Sequence, residues 1–262
     1  MAAPRQPVPA ISRPILAFFR STARRYFRRQ FHAVRARNLE RFTHPGRPLI
    51  VYANHGSWWD PMVSVLLAAE RMSERRHYAP MDADALKRYV ILRSIGIFPV
   101  EMHTARGAAQ FLRTGKAILE SGGVLWVTPQ GRFADPRQRP LDFKPGLAAL
   151  AAKVEGGCTL LPLAIEYPFW DERLPETLLH FGEPVHVAPG EQDIQLKLES
   201  ALLVAMDELK TVAIARDPRA FTTLRQGSAG AGGFYALGKR LAALLGRRPY
   251  IAEHTPLPEA PE

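Results

Sequence analysis

Short apolar runs of strand length alternate along this chain with longer stretches of helical spacing, and that alternation restricts the fold more than any other feature. "PLIVYAN" (48–54) is an apolar, β-branched run of the kind that fills a buried strand. Pro61 then opens "MVSVLLAAERMSERR" (62–76), where apolar residues recur at helical intervals before a charged end. The same reading predicts a strand near 77–80, a helix around 83–93, a strand "IGIFPV" over 95–100, a helix from Thr104 to Leu119 and a strand "VLWVTP" over 124–129. A proline-rich loop follows, then a helix after Pro145, strands "TLLPLAIEY" (159–167) and "LLHFG" (178–182), and a helix from 191 to about 214. Such alternation predicts an α/β fold: a mostly parallel mixed sheet flanked by helices on both faces. With 262 residues, 47% of them apolar, the chain can bury a substantial core, and disorder throughout is excluded. A single cysteine, Cys158, excludes internal disulfides and thiolate-rich metal sites, and is expected to be a packed core residue.

The net charge of +10 is confined to one segment. Residues 1–47 hold 11 arginines against one acid, Glu40, and the remainder carries equal numbers of basic and acidic side chains. Within that segment "PILAFFRSTARRYFRRQFHAVRAR" (14–37) reads as a helix after Pro14. Ile15, Phe19, Ala23, Phe27 and Phe31 recur at i, i+4, with Tyr26 and Val34 beside them and Arg20, Arg24, Arg28 and Arg35 on the other side. A cationic face opposite an aromatic face suits a helix lying in an anionic membrane surface, where each arginine adds about 1 kcal/mol of attraction. A helix packed on its own domain and a nucleic-acid contact are the alternatives; phenylalanines along one face favour lipid, so no nucleic-acid partner is expected. No apolar run approaches the roughly 18–20 residues that span a bilayer, and "ILAFF" is too short for a secretory signal. The expectation is a peripheral protein on the cytoplasmic face of a membrane. Three segments follow: a basic amphipathic membrane-surface helix in 1–47, an α/β domain in 48–225, and in 226–262 a glycine-rich connector ("QGSAGAGGF", 226–234), a short basic helix ("YALGKRLAALLGRR") and a disordered tail from Pro249. The glycine-rich patch follows no predicted strand, so it does not read as a phosphate loop.

Chemistry concentrates in "NHGSWWDP" (54–61). The spacing His-x4-Asp occurs twice, as His55 with Asp60 and as His77 with Asp82, so spacing alone decides nothing. His55, however, leaves a buried strand, and Asp60 directly precedes a proline, as an N-cap precedes the first helical residue. A rigid strand end and helix start would hold imidazole and carboxylate together near the carboxyl edge of the sheet, where α/β folds bind ligands. His77 ends a polar segment, "SERRH", and its pairing reads as coincidence. A carboxylate on one imidazole nitrogen would fix the tautomer and leave the other nitrogen to take a proton from an incoming hydroxyl. Ser57 is a rival nucleophile, but two residues from His55 it is better suited to capping the turn. The alternative for the whole stretch is a buried histidine satisfied by its neighbouring aspartate, with Trp58 and Trp59 packing.

"NHGSWWDP" resembles the first signature block of the glycerophospholipid acyltransferases, the lysophosphatidic acid and glycerol-3-phosphate acyltransferases, and further blocks follow in order over roughly 48–185. The resemblance implies that His55 is the general base and Asp60 its orienting carboxylate. The acceptor hydroxyl would attack the thioester of acyl-CoA or acyl-carrier protein, with no metal and no dissociable cofactor. In the second block, "GIFPVEMHTARG", Gly96, Phe98, Val100 and Glu101 match, Met102 stands where an arginine holding the acceptor's phosphate is expected, and Arg106 follows four residues later. In the third, "TPQGRF", Pro129 and Gly131 match, Gln130 replaces an acid and Arg132 comes one position early. Lys144 and Gly146 in "FKPGLAALA" and Pro162 in "LLPLAI" complete the pattern. The resemblance thus assigns Ser57, Arg106, Gln130, Gly131, Arg132 and Lys144 to substrate binding. It implies an O-acyltransferase at a membrane surface with a 1-acylglycerol-3-phosphate-like acceptor. Met102 and Gln130 keep open a non-phosphate lipid alcohol, such as a carotenoid glycoside or ornithine lipid, and a non-catalytic membrane-surface binding protein of the same fold is the other alternative.

Overall fold

Strand β2 (Leu49–Ala53) sorts its side chains strictly by parity, and the two faces of the sheet follow from it. Leu49, Val51 and Ala53 enter one apolar layer and Ile50 and Tyr52 the other, as a period of two demands of a strand buried on both sides. The computed structural model describes residues 8–42 and 48–228. On the first face pack α1 (Arg13–Gln30) and α2 (Asp60–Arg71), through Ala23, Phe27, Met62, Val63, Leu66 and Leu67. On the second pack α4 (Ala105–Glu120), α5 (Gly146–Ala151) and α6 (Ile194–Ala215), through Phe111, Ile118, Leu147, Leu150, Leu198 and Leu202. Full burial of each such large side chain contributes about 1.5–3 kcal/mol. Cys158 is buried in the second layer, where burial pushes its thiol up to about 12.

The strands are β1 (Ala33–Arg37), β2, β3 (His77–Asp82), β4 (Ile97–Val100), β5 (Val124–Val127), β6 (Cys158–Glu166), β7 (Glu176–Phe181), β8 (Val185–Val187) and β9 (Thr222–Gln226). They form one nine-stranded sheet in the order β4-β3-β5-β2-β6-β7-β1-β9, with β8 also on β6. Pairs β4/β3, β3/β5, β5/β2, β2/β6 and β7/β1 are parallel, whereas β6/β7, β6/β8 and β1/β9 are antiparallel. The mostly parallel mixed sheet between helical layers is as expected, and β2 sits centrally with its carboxyl end leading directly into "NHGSWWDP".

Five local expectations change. The N-terminal helix stops at Gln30 instead of running through Val34 and Arg35, because residues 33–37 pair with β7 and β9 as β1. Arg35 is thereby buried, its guanidinium donating to Glu176 at 3.0 Å and to Thr223 Oγ1 at 2.7 Å. The basic segment therefore supplies a strand to the sheet. The aromatic stripe of α1 faces inward: Ala23, Phe27 and Phe31 are buried, and Arg24 pairs with Glu70 of α2 at 2.7 Å. The helix expected around 83–93 divides into α3 (Ala83–Arg88) and a 3₁₀ turn (Val90–Ser94), broken at Tyr89 with φ −124°. The strand expected from residue 95 begins at Ile97, after Gly96 turns with φ +96°; a Cβ there would lie 2.4 Å from the His77 carbonyl oxygen. Strand β9 takes in Gln226, the first residue assigned to the connector. The expected basic helix and disordered tail, and the connector beyond Ser228, lie outside the described residues. No described helix is long and apolar enough to cross a membrane.

Candidate active site

Asn54, the first residue past β2, fixes the frame on which the candidate pair is mounted. Its side-chain amide donates to the Ile165 carbonyl at 3.0 Å and its carbonyl accepts the Ile165 N–H at 2.8 Å, stapling the end of β2 to β6. His55 comes next, and the loop after β5 holds both of its main-chain groups. Its N–H donates to Gln130 Oε1 at 3.1 Å, and its carbonyl accepts from Ala134 N at 2.8 Å. The imidazole stacks on Phe133, the ring centroids 4.3 Å apart.

Residues 56–59 turn the chain back. Ser57 Oγ accepts from Trp59 N at 3.2 Å, and the Ser57 carbonyl accepts from Asp60 N at 3.1 Å, so this hydroxyl organises the turn into α2. Asp60 is the first helical residue of α2; Trp59 occupies the cap position with no side-chain cap, which corrects the N-cap expectation for Asp60. At a helix start the side chain points back over the preceding turn, and the carboxylate reaches His55. His55 Nδ1 lies 2.8 Å from Asp60 Oδ2, which also accepts from Ser57 N at 3.0 Å. The second oxygen, Oδ1, accepts from the Tyr167 hydroxyl at 2.7 Å. The Asp60 side chain is 3% exposed and that of His55 16%: a sealed carboxylate beneath an imidazole that still meets solvent. With the carboxylate on Nδ1, that nitrogen carries the hydrogen and Nε2 keeps a lone pair.

The other His-x4-Asp pair does not meet. His77 Nε2 is 2.7 Å from the Met72 carbonyl and its Nδ1 accepts from Trp126 Nε1 at 3.0 Å, while Asp82 caps α3 by accepting from Asp84 N and Ala85 N.

Of the residues the resemblance assigns to substrate binding, Gly131 and Lys144 come together, with Met102 beside them. Gly131 has φ +64°, a left-handed conformation that costs a side-chain-bearing residue energy. A Cβ on it would lie 3.0 Å from Lys144 Cε and 3.3 Å from Met102 Cε. Its N–H is used within the turn, donating to the Thr128 carbonyl at 3.0 Å, so the main-chain donor expected there for an anion is already engaged. Arg132 is exposed, 3.6 Å from Asp142 Oδ2. Gln130 is buried, its Oε1 held by His55 N. Arg106 is exposed in the first turn of α4, and no hydrogen bond or ion pair among the described residues links it to His55, Asp60 or the Gly131 turn.

Tyr167, Phe133 and Asn54 were missed as site residues. The only signal for Tyr167 was its place at the end of an apolar strand run adjoining the one that carries His55.

The chain matches the family described as Acyltransferase over residues 33–166, half of its length. It belongs to the Acyltransferase family. Among solved structures it resembles the 1-acyl-sn-glycerophosphate (LPA) acyltransferase PlsC of Thermotoga maritima, with a TM-score of 0.55 and 20% sequence identity, covering 74% of this chain and 79% of that one. No curated protein matches it in sequence. The match takes in β1 to β6, and with them His55, Asp60, Gln130, Gly131 and Lys144. As a member of this acyltransferase family, the chain is an enzyme of acyl-group transfer.

Proposed function

We propose that this acyltransferase moves a fatty acyl group from the thioester of acyl-CoA or acyl-carrier protein to the hydroxyl of a lysophospholipid-like acceptor, 1-acylglycerol-3-phosphate or a close relative. The observation that carries the reading is the 2.8 Å contact of His55 Nδ1 with Asp60, at the carboxyl end of the central strand, with the imidazole left partly open. His55 Nε2 takes the proton of the acceptor hydroxyl as its oxygen attacks the thioester carbonyl. The C–S bond then breaks, the proton passes from His55 to the departing thiolate, and ester and free thiol leave. Asp60 keeps Nδ1 protonated throughout and stabilises the imidazolium. No resident metal or cofactor enters the scheme; the thioester is a co-substrate. Lys144 and Arg132, beside the Gly131 turn, supply two cations to which an anionic headgroup or the donor's phosphates can bind. Trp58 and Phe133 stand exposed at the site and offer apolar surface to an amphiphile.

The enzyme works, on this reading, as a peripheral protein on the cytoplasmic face of an anionic membrane. Support comes from the outer side of α1, where Arg25, Arg28 and Arg29 are exposed with Phe18 and Tyr26, and from exposed Tyr89, Val90 and Ile91. A specific observation also favours a second acceptor class. The methyl end of Met102 borders the Gly131 turn where the resemblance implies an arginine, and no hydrogen bond or ion pair among the described residues brings Arg106 there. A non-phosphate lipid alcohol suits such a site. Acyl-CoA consumption measured against lysophosphatidic acid, glycerol 3-phosphate and neutral lipid alcohols separates the two classes. His55→Ala is expected to abolish transfer, and a His55→Ala protein as fast as wild type would refute the mechanism.

A further inference from the structure

We propose that Tyr167 is a positioning residue for acyl transfer, its hydroxyl clamping the free oxygen of Asp60 so that the carboxylate meets His55 in one orientation. The inference rests on the acyl-transfer reading above. Asp60 Oδ2 serves two donors, His55 Nδ1–H and Ser57 N–H, and Oδ1 serves one, Tyr167 O–H at 2.7 Å. Three donors, two from the turn before α2 and one from the end of β6, leave the carboxylate plane no free rotation. Tyr167 follows β6 directly, two residues beyond Ile165, whose N–H and C=O are both held by Asn54. The staple that places His55 therefore also places the clamp. The ring packs on Phe31, centroids 5.7 Å apart. Burial and the Asp60 charge push the phenol well above its usual range, so it remains a donor at every working pH.

Removing the Tyr167 donor leaves Oδ1 unheld, so the carboxylate, and with it the His55 imidazole, loses its one fixed orientation.

The test is Tyr167→Phe in the full chain, which keeps the ring on Phe31, assayed with the acceptor found active in the panel. We expect kcat to fall about tenfold, as for loss of one hydrogen bond to a charged group. The acceptor KM should stay within about twofold. In an Asp60→Asn background, adding Tyr167→Phe should cost nothing further, because the two act as one unit. Thermal unfolding checks that the variant is folded. An unchanged kcat, additive losses in the double variant, or a raised KM with intact kcat would each overturn the proposal. Active wild type and inactive His55→Ala alongside an unchanged Tyr167→Phe would sink this inference alone; a wild type that transfers nothing would sink the acyl-transfer reading with it.

Discussion

Gln130 occupies the position where the family resemblance leads one to expect an acid, yet its Oε1 is spent on the His55 main chain. Gln130→Leu keeps the volume and removes the acceptor. The His55 N–H is then left without a partner in a part-buried turn, which costs about 1–3 kcal/mol. In a domain of this size that lowers Tm by roughly 2–12 °C. The Ala134 bond to the His55 carbonyl remains, so the turn should stay folded but shift. Because a misplacement of about 1 Å can cost on the order of 10² in rate, kcat is expected to fall roughly 10- to 100-fold with the acceptor KM little changed. Gln130→Glu restores an acceptor at the same reach and should recover most of that rate. The assay pairs calorimetry with steady-state kinetics on the active acceptor. If Gln130 instead touches substrate, Gln130→Leu will raise the acceptor KM while leaving Tm and kcat alone, and its role as a support for the His55 main chain is refuted.

His77 is held by burial at about 4, below its ordinary 6.5. The unfolded chain therefore binds the proton first as pH falls, and about 2 kcal/mol of stability should be lost between pH 7 and 5, flattening below about pH 4. Urea unfolding of wild type against His77→Gln measures this, and equal slopes in both proteins would contradict it. His32 moves oppositely, its hydrogen bond with Glu176 raising it above 6.5. Its contribution is complete below pH 6.5 and fades as pH climbs through the raised value, so His32→Gln should flatten stability on the alkaline side. Gly131→Ala places a Cβ in a left-handed backbone at a cost of about 1–2 kcal/mol. The new methyl must also displace the ends of Lys144 and Met102, so KM for an anionic substrate should rise; kinetics identical to wild type would show that the turn binds nothing. Changing Arg25, Arg28 and Arg29 to glutamine should remove salt-sensitive binding to anionic vesicles, an expectation that equal binding to neutral vesicles would defeat.

What the sequence made legible was what local pattern and parity determine. Apolar runs located β2, β5, β6 and β7, and helical spacing located α2, α4 and α6, because each buries its own periodic face. The N-terminal segment misled for a physical reason: Phe27 and Phe31 keep helical spacing while Ala33–Arg37 is claimed by pairing with β7 and β9, partners some 140 and 190 residues away. Long-range pairing of that kind leaves no local trace. The short β8 and β9 escaped notice because three to five residues on the edge of a sheet need little apolarity of their own. The aromatic stripe of α1 signalled burial correctly, but nothing in its periodicity distinguishes lipid from a second helix and a sheet. The same limit hid Tyr167, whose significance lies in which oxygen of a residue 107 positions earlier it meets.

The two His-x4-Asp pairs show how much secondary structure alone decides. His77 and Asp82 bound one strand. Five residues apart in a strand places side chains on opposite faces, about 16 Å from one another along the chain, so no rotamer joins them. Each is accordingly consumed elsewhere, His77 by Met72 and Trp126, Asp82 as a helix cap. His55 and Asp60 have the same separation but straddle a turn, with the histidine leaving a strand and the aspartate beginning a helix whose first side chains lean backward. Contact is then what the backbone direction provides, and the Asn54 staple, the Gln130 acceptor and the Tyr167 donor restrict it to one geometry. A graft of "NHGSWWDP" onto a strand that continued through Asp60 would keep every residue of the block and lose the pair.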